Sequence, residues 1–268
     1  MKNQHRARKR FGQNFLHDEH VIDNIVAAVN PKKSDSIVEI GPGLGALTEP
    51  LLRHCEHLDA IELDRDIIPK LAARCANTGR LDIHSIDVLQ FDFTRIKTKE
   101  NGKLRIVGNL PYNITTPLLF HLLAQPVNIQ DMHFMVQKEV AQRITAAAGE
   151  NNYGRLSVMI QHACTSELLI HVGPEAFDPS PKVDSAVIRL TPHASQPWPV
   201  EDDKLFAMIV RTAFSQRRKT IRNTLKKVAS IEELEEAYID SGARPETISI
   251  KQYAALSNLL SISSAKHL

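Results

Sequence analysis

The sequence predicts an α/β fold: a largely parallel sheet with helices on both faces, then a small all-helical domain. Three observations carry this. Short β-branched runs alternate with helical patterns up to about Thr191. Residues 191–203 contain Pro192, Pro197 and Pro199 without periodicity and read as a linker. Beyond them only helical spacing remains. We therefore expect a first domain over 1–194 with a basic N-terminal arm, and a helical domain over 195–268. The second buries little core of its own at that size.

The elements follow in order. Asp18 begins a helix whose apolar stripe is Val21, Ile22, Ile25, Val26 and Val29. Strands are expected at 36–41, 58–62, 82–86, 104–109, 132–137, 167–172 and 186–191. Leu118, Leu119, Leu122 and Leu123 repeat at helical spacing, with Thr116 as cap and Pro117 in the first turn. The last two strands are separated by a connection holding Pro174, Pro179 and Pro181, and should form an antiparallel edge. Four helices close the chain, at roughly 203–215, 218–227, 231–241 and 249–260, with Gly242 as a C-cap.

Composition excludes several classes. The longest apolar run is six residues, 205–210, too short for a membrane span. Cys55, Cys75 and Cys164 are odd in number, far apart and never in CxxC spacing. That argues against a disulfide framework and a zinc module, and for a reducing compartment. The first residues given hold no apolar stretch of the kind a secretory leader needs, so no leader is expected, and a cytoplasmic monomer is expected.

The net charge of +2 hides two concentrations. Residues 1–10 carry five Lys or Arg, Arg8 and Arg10 among them, with no acid. Residues 211–227 carry seven with no acid, including Arg217, Arg218, Lys219 and Arg222. The rest of the chain is net acidic, so a polyanion would be drawn to two places. In the second segment the cations follow an apolar helical stripe, which suits a packed helix pair with a basic outer face.

Glu39-Ile-Gly41-Pro-Gly43-Leu-Gly45 follows the first strong strand and opens a helix. The glycines let the backbone turn tightly and approach a cofactor closely. Glu62 lies 21 residues beyond Gly41 at the end of the next strand, where a carboxylate can accept ribose hydroxyls. Asp87, after the third strand, can receive an adenine amine. These features suit either NAD or S-adenosylmethionine. Glu39 favours a cationic ligand over a pyrophosphate.

Asn109-Leu110-Pro111-Tyr112 ends the fourth strand, on the same carboxyl edge. An adenine N6 amine is a poor nucleophile because its lone pair is delocalised into the ring. The Asn109 side-chain oxygen and the Leu110 carbonyl can take both amine hydrogens and drive that nitrogen towards tetrahedral geometry. Tyr112 can stack on the base and face a positive centre. Phe177 suits a second stacking wall opposite Tyr112 and an ordinary buried aromatic equally well.

On these motifs the chain resembles the ribosomal RNA adenine dimethylase family. The likeness runs over nearly the whole length. It also includes Arg10-Phe-Gly-Gln-Asn-Phe-Leu16, Ile61-Glu-Leu-Asp64, Phe177-Asp-Pro-Ser-Pro-Lys-Val-Asp-Ser185 and Gln216-Arg-Arg-Lys-Thr-Ile-Arg222. The resemblance implies a Rossmann-like S-adenosylmethionine-dependent methyltransferase sheet. It implies cofactor contacts at Asn14, Leu16, Gly41, Gly43, Glu62, Asp87 and Asn109. It also implies N6,N6-dimethylation of two adjacent adenosines in a hairpin near the 3′ end of small-subunit (16S) rRNA, with the immature small subunit as partner.

Other features fit without chemistry. His17-Asp-Glu-His20 reads as helix entry, and no metal is expected. The run 232–236 reads as a solvated first helical turn, and Cys164 as buried packing. An NAD-dependent oxidoreductase leaves the Asn109 quartet and the basic tail unexplained. A non-catalytic assembly factor leaves the intact pocket unexplained. A large-subunit rRNA methylase is a nearer rival, against which the full 177–185 and 216–222 motifs weigh.

Overall fold

A computed structural model describes residues 13–98, 102–125, 127–216 and 218–265. Arg8, Arg10 and Arg217 lie outside the described residues.

The chain begins with β1 (Phe15–Leu16) and α1 (Glu19–Val29). Asp18 caps α1 as expected, its carboxylate accepting from the Val21 N–H at 3.0 Å, and Ile22, Ile25, Val26 and Val29 are its buried side. Then follow β2 (Ser36–Ile40), α2 (Thr48–Leu52), β3 (His57–Ile61), α3 (Ile68–Cys75), β4 (Arg80–His84), β5 (Leu104–Asn109) and α4 (Thr115–Ala124). Helix α4 has Ile114 as its cap residue, so Thr116 lies inside the first turn instead of capping it, and Pro117 lies in that turn as expected. Next come β6 (Ile129–Gln137), α5 (Lys138–Thr145), α6 (Arg155–Ala163), β7 (Cys164–Val172), β8 (Phe177–Asp178) and β9 (Ser185–Pro192).

Seven strands form one sheet in the order β4-β3-β2-β5-β6-β9-β7. The first five are parallel, and their central members β2 and β5 are buried almost throughout. Strand β9 runs antiparallel to β6, as the Pro-rich connection suggested, but it lies inside the sheet with β7 outermost. From β2 the chain builds outward through β3 and β4, then returns to place β5 on the other side. The crevice beyond the carboxyl ends of β2 and β5 is therefore the topological switch point where ligands bind. Ile40 of β2 pairs with Gly108 of β5. A Cβ at Gly108 would stand 2.6 Å from the Ile40 carbonyl oxygen, so only glycine lets these strands meet there.

The chain divides into two compact units. One holds the residues up to Ala141 together with Glu167–Pro192, and the other holds Gln142–Ser166 with the residues from His193 on. The second cut falls close to the expected boundary at 194. The segment 142–166, expected in the first domain, belongs instead to the helical unit. Its reason is packing: Val158 shares a core with Phe206, Ile209, Leu225, Leu234 and Tyr253. The Tyr153 hydroxyl also donates to the Ile248 carbonyl at 3.1 Å. That unit further contains α7 (Asp203–Ala213), α8 (Ile221–Leu225), α9 (Ile231–Glu236) and α10 (Ile250–Ala265). Helix α9 ends at Glu236 with Ala237 as its cap, so Gly242 does not cap it.

Candidate functional site

A cavity of about 690 Å³ opens at the switch point. Asn14, Leu16, Gly41, Gly43, Glu62, Asp87, Asn109, Leu110 and Tyr112 all line it, so nine expected site residues from five separate stretches converge.

The glycine loop does what its composition suggested. Gly41, Gly43 and Gly45 have φ of +65°, +54° and +85°, conformations that side chains with a Cβ rarely adopt. At Gly43 a Cβ would also press to 3.2 Å against the Phe15 ring. The loop is pinned by Glu62, whose carboxylate accepts from the Gly43 N–H at 3.2 Å and from the Asp64 N–H at 2.8 Å. Burial raises the Glu62 pKa against those two bonds. Asp87 accepts from the Leu89 N–H at 3.0 Å, capping a short 3-10 turn at the cavity wall.

Glu39 is fully buried, and burial pushes its carboxyl up to about 7. Its Oε2 is buried without a hydrogen-bond partner. An orphaned carboxylate oxygen on a cavity wall calls for a cationic or donor group on the ligand. Five carboxylate residues (Glu19, Glu39, Glu62, Asp87 and Asp178) line the cavity against Lys70 and Arg74, and Arg74 is already paired with Glu49 at 2.8 Å. This set fits the ammonium and sulfonium of S-adenosylmethionine and would repel a pyrophosphate.

At the end of β5, the Asn109 side-chain nitrogen donates to the Asn14 carbonyl at 3.1 Å. That bond assigns the amide, and no group among the described residues donates to its oxygen. Leu110 donates its N–H to the Met135 carbonyl at 3.1 Å, while no group among the described residues donates to the Leu110 carbonyl. Pro111 has its carbonyl engaged by the Ile114 N–H at 3.1 Å and the Thr115 hydroxyl at 3.3 Å. Among the described residues, two acceptors without a donor therefore flank the turn. The Tyr112 hydroxyl lies 2.8 Å from Ser185 Oγ, and burial raises its pKa. Ser185 is fully buried at the start of β9. It belongs to the 177–185 motif, but nothing in its spacing from residue 112 foretells the contact.

Phe177 stands apart from the cavity lining. It is 3% exposed and packs in the core with Leu16, Val172 and Ala176. Strand β8 pairs antiparallel with β1, Leu16 opposite Phe177 and Phe15 opposite Asp178. Asp178, the next residue, lines the cavity. The same pairing, with the Gln13 side-chain amide donating to Asp64 at 3.0 Å, holds residues 13–17 as one wall.

In the helical unit Arg218, Lys219 and Arg222 are exposed, as are Arg211, Lys226 and Lys227. No carboxylate among the described residues pairs with them.

A parallel sheet in this order, with an acidic cavity over its glycine loop, defines the class of Rossmann-like S-adenosylmethionine-dependent methyltransferases. Residues 4–261 match the family model described as ribosomal RNA adenine dimethylase, and the chain belongs to that family. It is 53% identical over 259 residues to the ribosomal RNA small subunit methyltransferase A of Marinobacter nauticus, covering 97% of this chain and 93% of that one. It is 52% identical over 257 residues to the protein of the same name from Pseudomonas aeruginosa, covering 96% of each. A solved dimethyladenosine transferase from Plasmodium falciparum superposes with a TM-score of 0.77 at 25% identity, covering 94% of this chain and 98% of that one. The 23S rRNA methyltransferase ErmE shares the fold, with a TM-score of 0.72 at 24% identity over 92% and 100% of the two chains.

Proposed function

We propose that the protein dimethylates N6 of two adjacent adenosines in a hairpin near the 3′ end of small-subunit rRNA, acting in the cytoplasm on the immature small subunit. The observation that carries this is the pair of acceptors without a donor among the described residues, Asn109 Oδ1 and the Leu110 carbonyl, beside Tyr112 on an acidic cavity. When bound, S-adenosylmethionine supplies an electrophilic methyl group on a sulfonium. Glu39 and Glu62, with Asp87, would hold its cationic and hydroxyl-bearing parts, and Asn14, Leu16, Gly41 and Gly43 would shape the cradle.

The chain's own residues act on the base. The target adenosine leaves its stack and enters beside Tyr112, whose ring supports it while Ser185 fixes the phenol. Asn109 and Leu110 accept the two amine hydrogens and turn the nitrogen lone pair out of conjugation. Asn109 is neutral and holds no proton, so the proton released after transfer goes to solvent. A monomethylated amine keeps one hydrogen for the same acceptors, and the second round reuses the site. Arg218, Lys219 and Arg222, with Arg8, Arg10 and Arg217, supply the phosphate contacts.

The test is incubation with methyl-labelled donor and immature small subunits, followed by nucleoside analysis. Dimethyladenosine is expected. Label absent from adenosine overturns the proposal.

A further inference from the structure

Beyond the methyl-transfer site, strands β3 and β4 place His57, Asp59, Asp82 and His84 on one face of the sheet. Asp59 is the direct register partner of Asp82, His57 that of Arg80, and Ile61 that of His84. Alternation puts all four polar residues, with Arg80, on the same side. Two carboxylates side by side on neighbouring strands repel each other unless a cation lies between them. Arg80 meets only the outer partner, at 2.7 Å from Asp82 Oδ2, and it is 72% exposed.

His57, Asp59 and Asp82 are the one group of metal-ligating side chains among the described residues whose donor atoms all fall within 4.8 Å of one another. His57 Nε2 stands 3.0 Å from Asp82 Oδ2 and 3.7 Å from Asp59 Oδ2. A tetrahedral zinc ion with bonds near 2.0–2.1 Å spaces its ligand atoms about 3.3 Å apart, between those two values. The other oxygen of Asp59, Oδ1, is held by His84 Nε2 at 2.6 Å. This is the outer contact that orients a ligating carboxylate.

We infer that His57, Asp59 and Asp82 form a binding site for a borderline divalent cation of the zinc class, with His84 positioning Asp59. The donor set is one imidazole nitrogen and two carboxylate oxygens, which balances the ion's charge and leaves one position for water. Magnesium, which demands six oxygen ligands, is a poor match. Arg80 is the internal competitor, and its guanidinium moves to solvent when the ion enters. The bound ion clips β3 to β4. These strands lead into Glu62 and Asp87, and the Glu62 N–H already donates to the His84 carbonyl at 3.0 Å. The sequence alone suggested no metal because the ligands are spread over 26 residues in no familiar spacing.

The experiment is calorimetric titration of the metal-free full-length chain with zinc chloride, with thermal unfolding followed with and without the ion. Binding of one ion and a rise in Tm of about 3 °C or more are expected. His57→Gln and Asp82→Asn should each weaken binding at least about tenfold, and His84→Gln by about tenfold. Arg80→Ala should tighten it, a gain that a misfolded variant cannot mimic. Magnesium chloride should give neither heat nor a Tm shift. The inference is overturned if zinc gives no saturable heat, or if it binds His57→Gln and Asp82→Asn as tightly as the native chain. Both partly exposed substitutions should preserve the far-ultraviolet circular dichroism and the metal-free Tm, which keeps the comparison fair.

Discussion

The Asn109 side-chain nitrogen donates to the backbone carbonyl of Asn14 across 95 residues of sequence. One end of the amide is spent on the N-terminal wall, so the other faces its task as an acceptor and cannot flip into a donor. Substituting Asn109→Ala removes both the acceptor and the tie to residue 14. We expect kcat to fall by about 10²–10³-fold while donor affinity changes by less than about tenfold. Rapid-quench methylation and equilibrium dialysis of the donor measure the two separately. Unchanged turnover contradicts the role.

Tyr112 and Ser185 share one hydrogen bond at 2.8 Å, so they should behave as a unit. Tyr112→Phe and Ser185→Ala are each expected to lower kcat about three- to tenfold, and the double variant should be no worse than either. Additive losses would mean that Ser185 does not act through the tyrosine. Tyr112→Ala should cost more, because the ring itself is lost.

Glu39 gives a pH signature. Its carboxyl titrates at about 7 in the folded chain against an ordinary 4.5. The folded state therefore keeps a proton that the unfolded state has released, and the donor-free protein loses stability as pH rises through 4.5–7. The loss amounts to roughly 3 kcal/mol once pH exceeds 7. Glu39→Gln should abolish that loss and raise Tm at pH 8. A cationic donor favours the ionised form, so donor affinity should climb with pH through about 7 in the native chain and stay low and flat in the variant. Denaturant melts and donor titrations at pH 5.5 and 8 decide the matter. A pH-independent native chain removes Glu39 from the site.

Arg218, Lys219 and Arg222 are exposed cations without carboxylate partners among the described residues. Replacing all three with glutamine should weaken rRNA binding and make the slope of log K against log salt shallower by about 2–3. An unchanged slope means they face no phosphate.

Much of this protein is written along the chain. The five parallel strands are legible because central strands buried on both faces need uninterrupted β-branched runs. Gly41, Gly43, Glu62, Asp87 and Asn109 are legible because a parallel sheet delivers its strand ends to one edge. Their shared cavity follows from that rule. The parts that Ser185 and Gly108 play are not legible in the sequence. Their importance lies in what stands opposite, a phenol in one case and a carbonyl oxygen in the other, and spacing does not encode an opposite partner. Phe177 shows the same limit. An aromatic in a Pro-framed motif suits a stacking wall or a core position, and spacing does not say that Phe177 packs with Leu16, Val172 and Ala176 while Asp178 lines the cavity.

The sequence by itself determined the alternation of strands and helices, the glycine turn, the Asn-Leu-Pro-Tyr turn and the basic tail, because each is set by neighbours within a few residues. Tertiary structure alone decided that residues 142–166 join the C-terminal helices. It likewise decided that β9 slips inside β7, and that two histidines and two aspartates share a face. Those outcomes depend on which apolar surfaces find each other at long range, where burial energy outweighs any local preference.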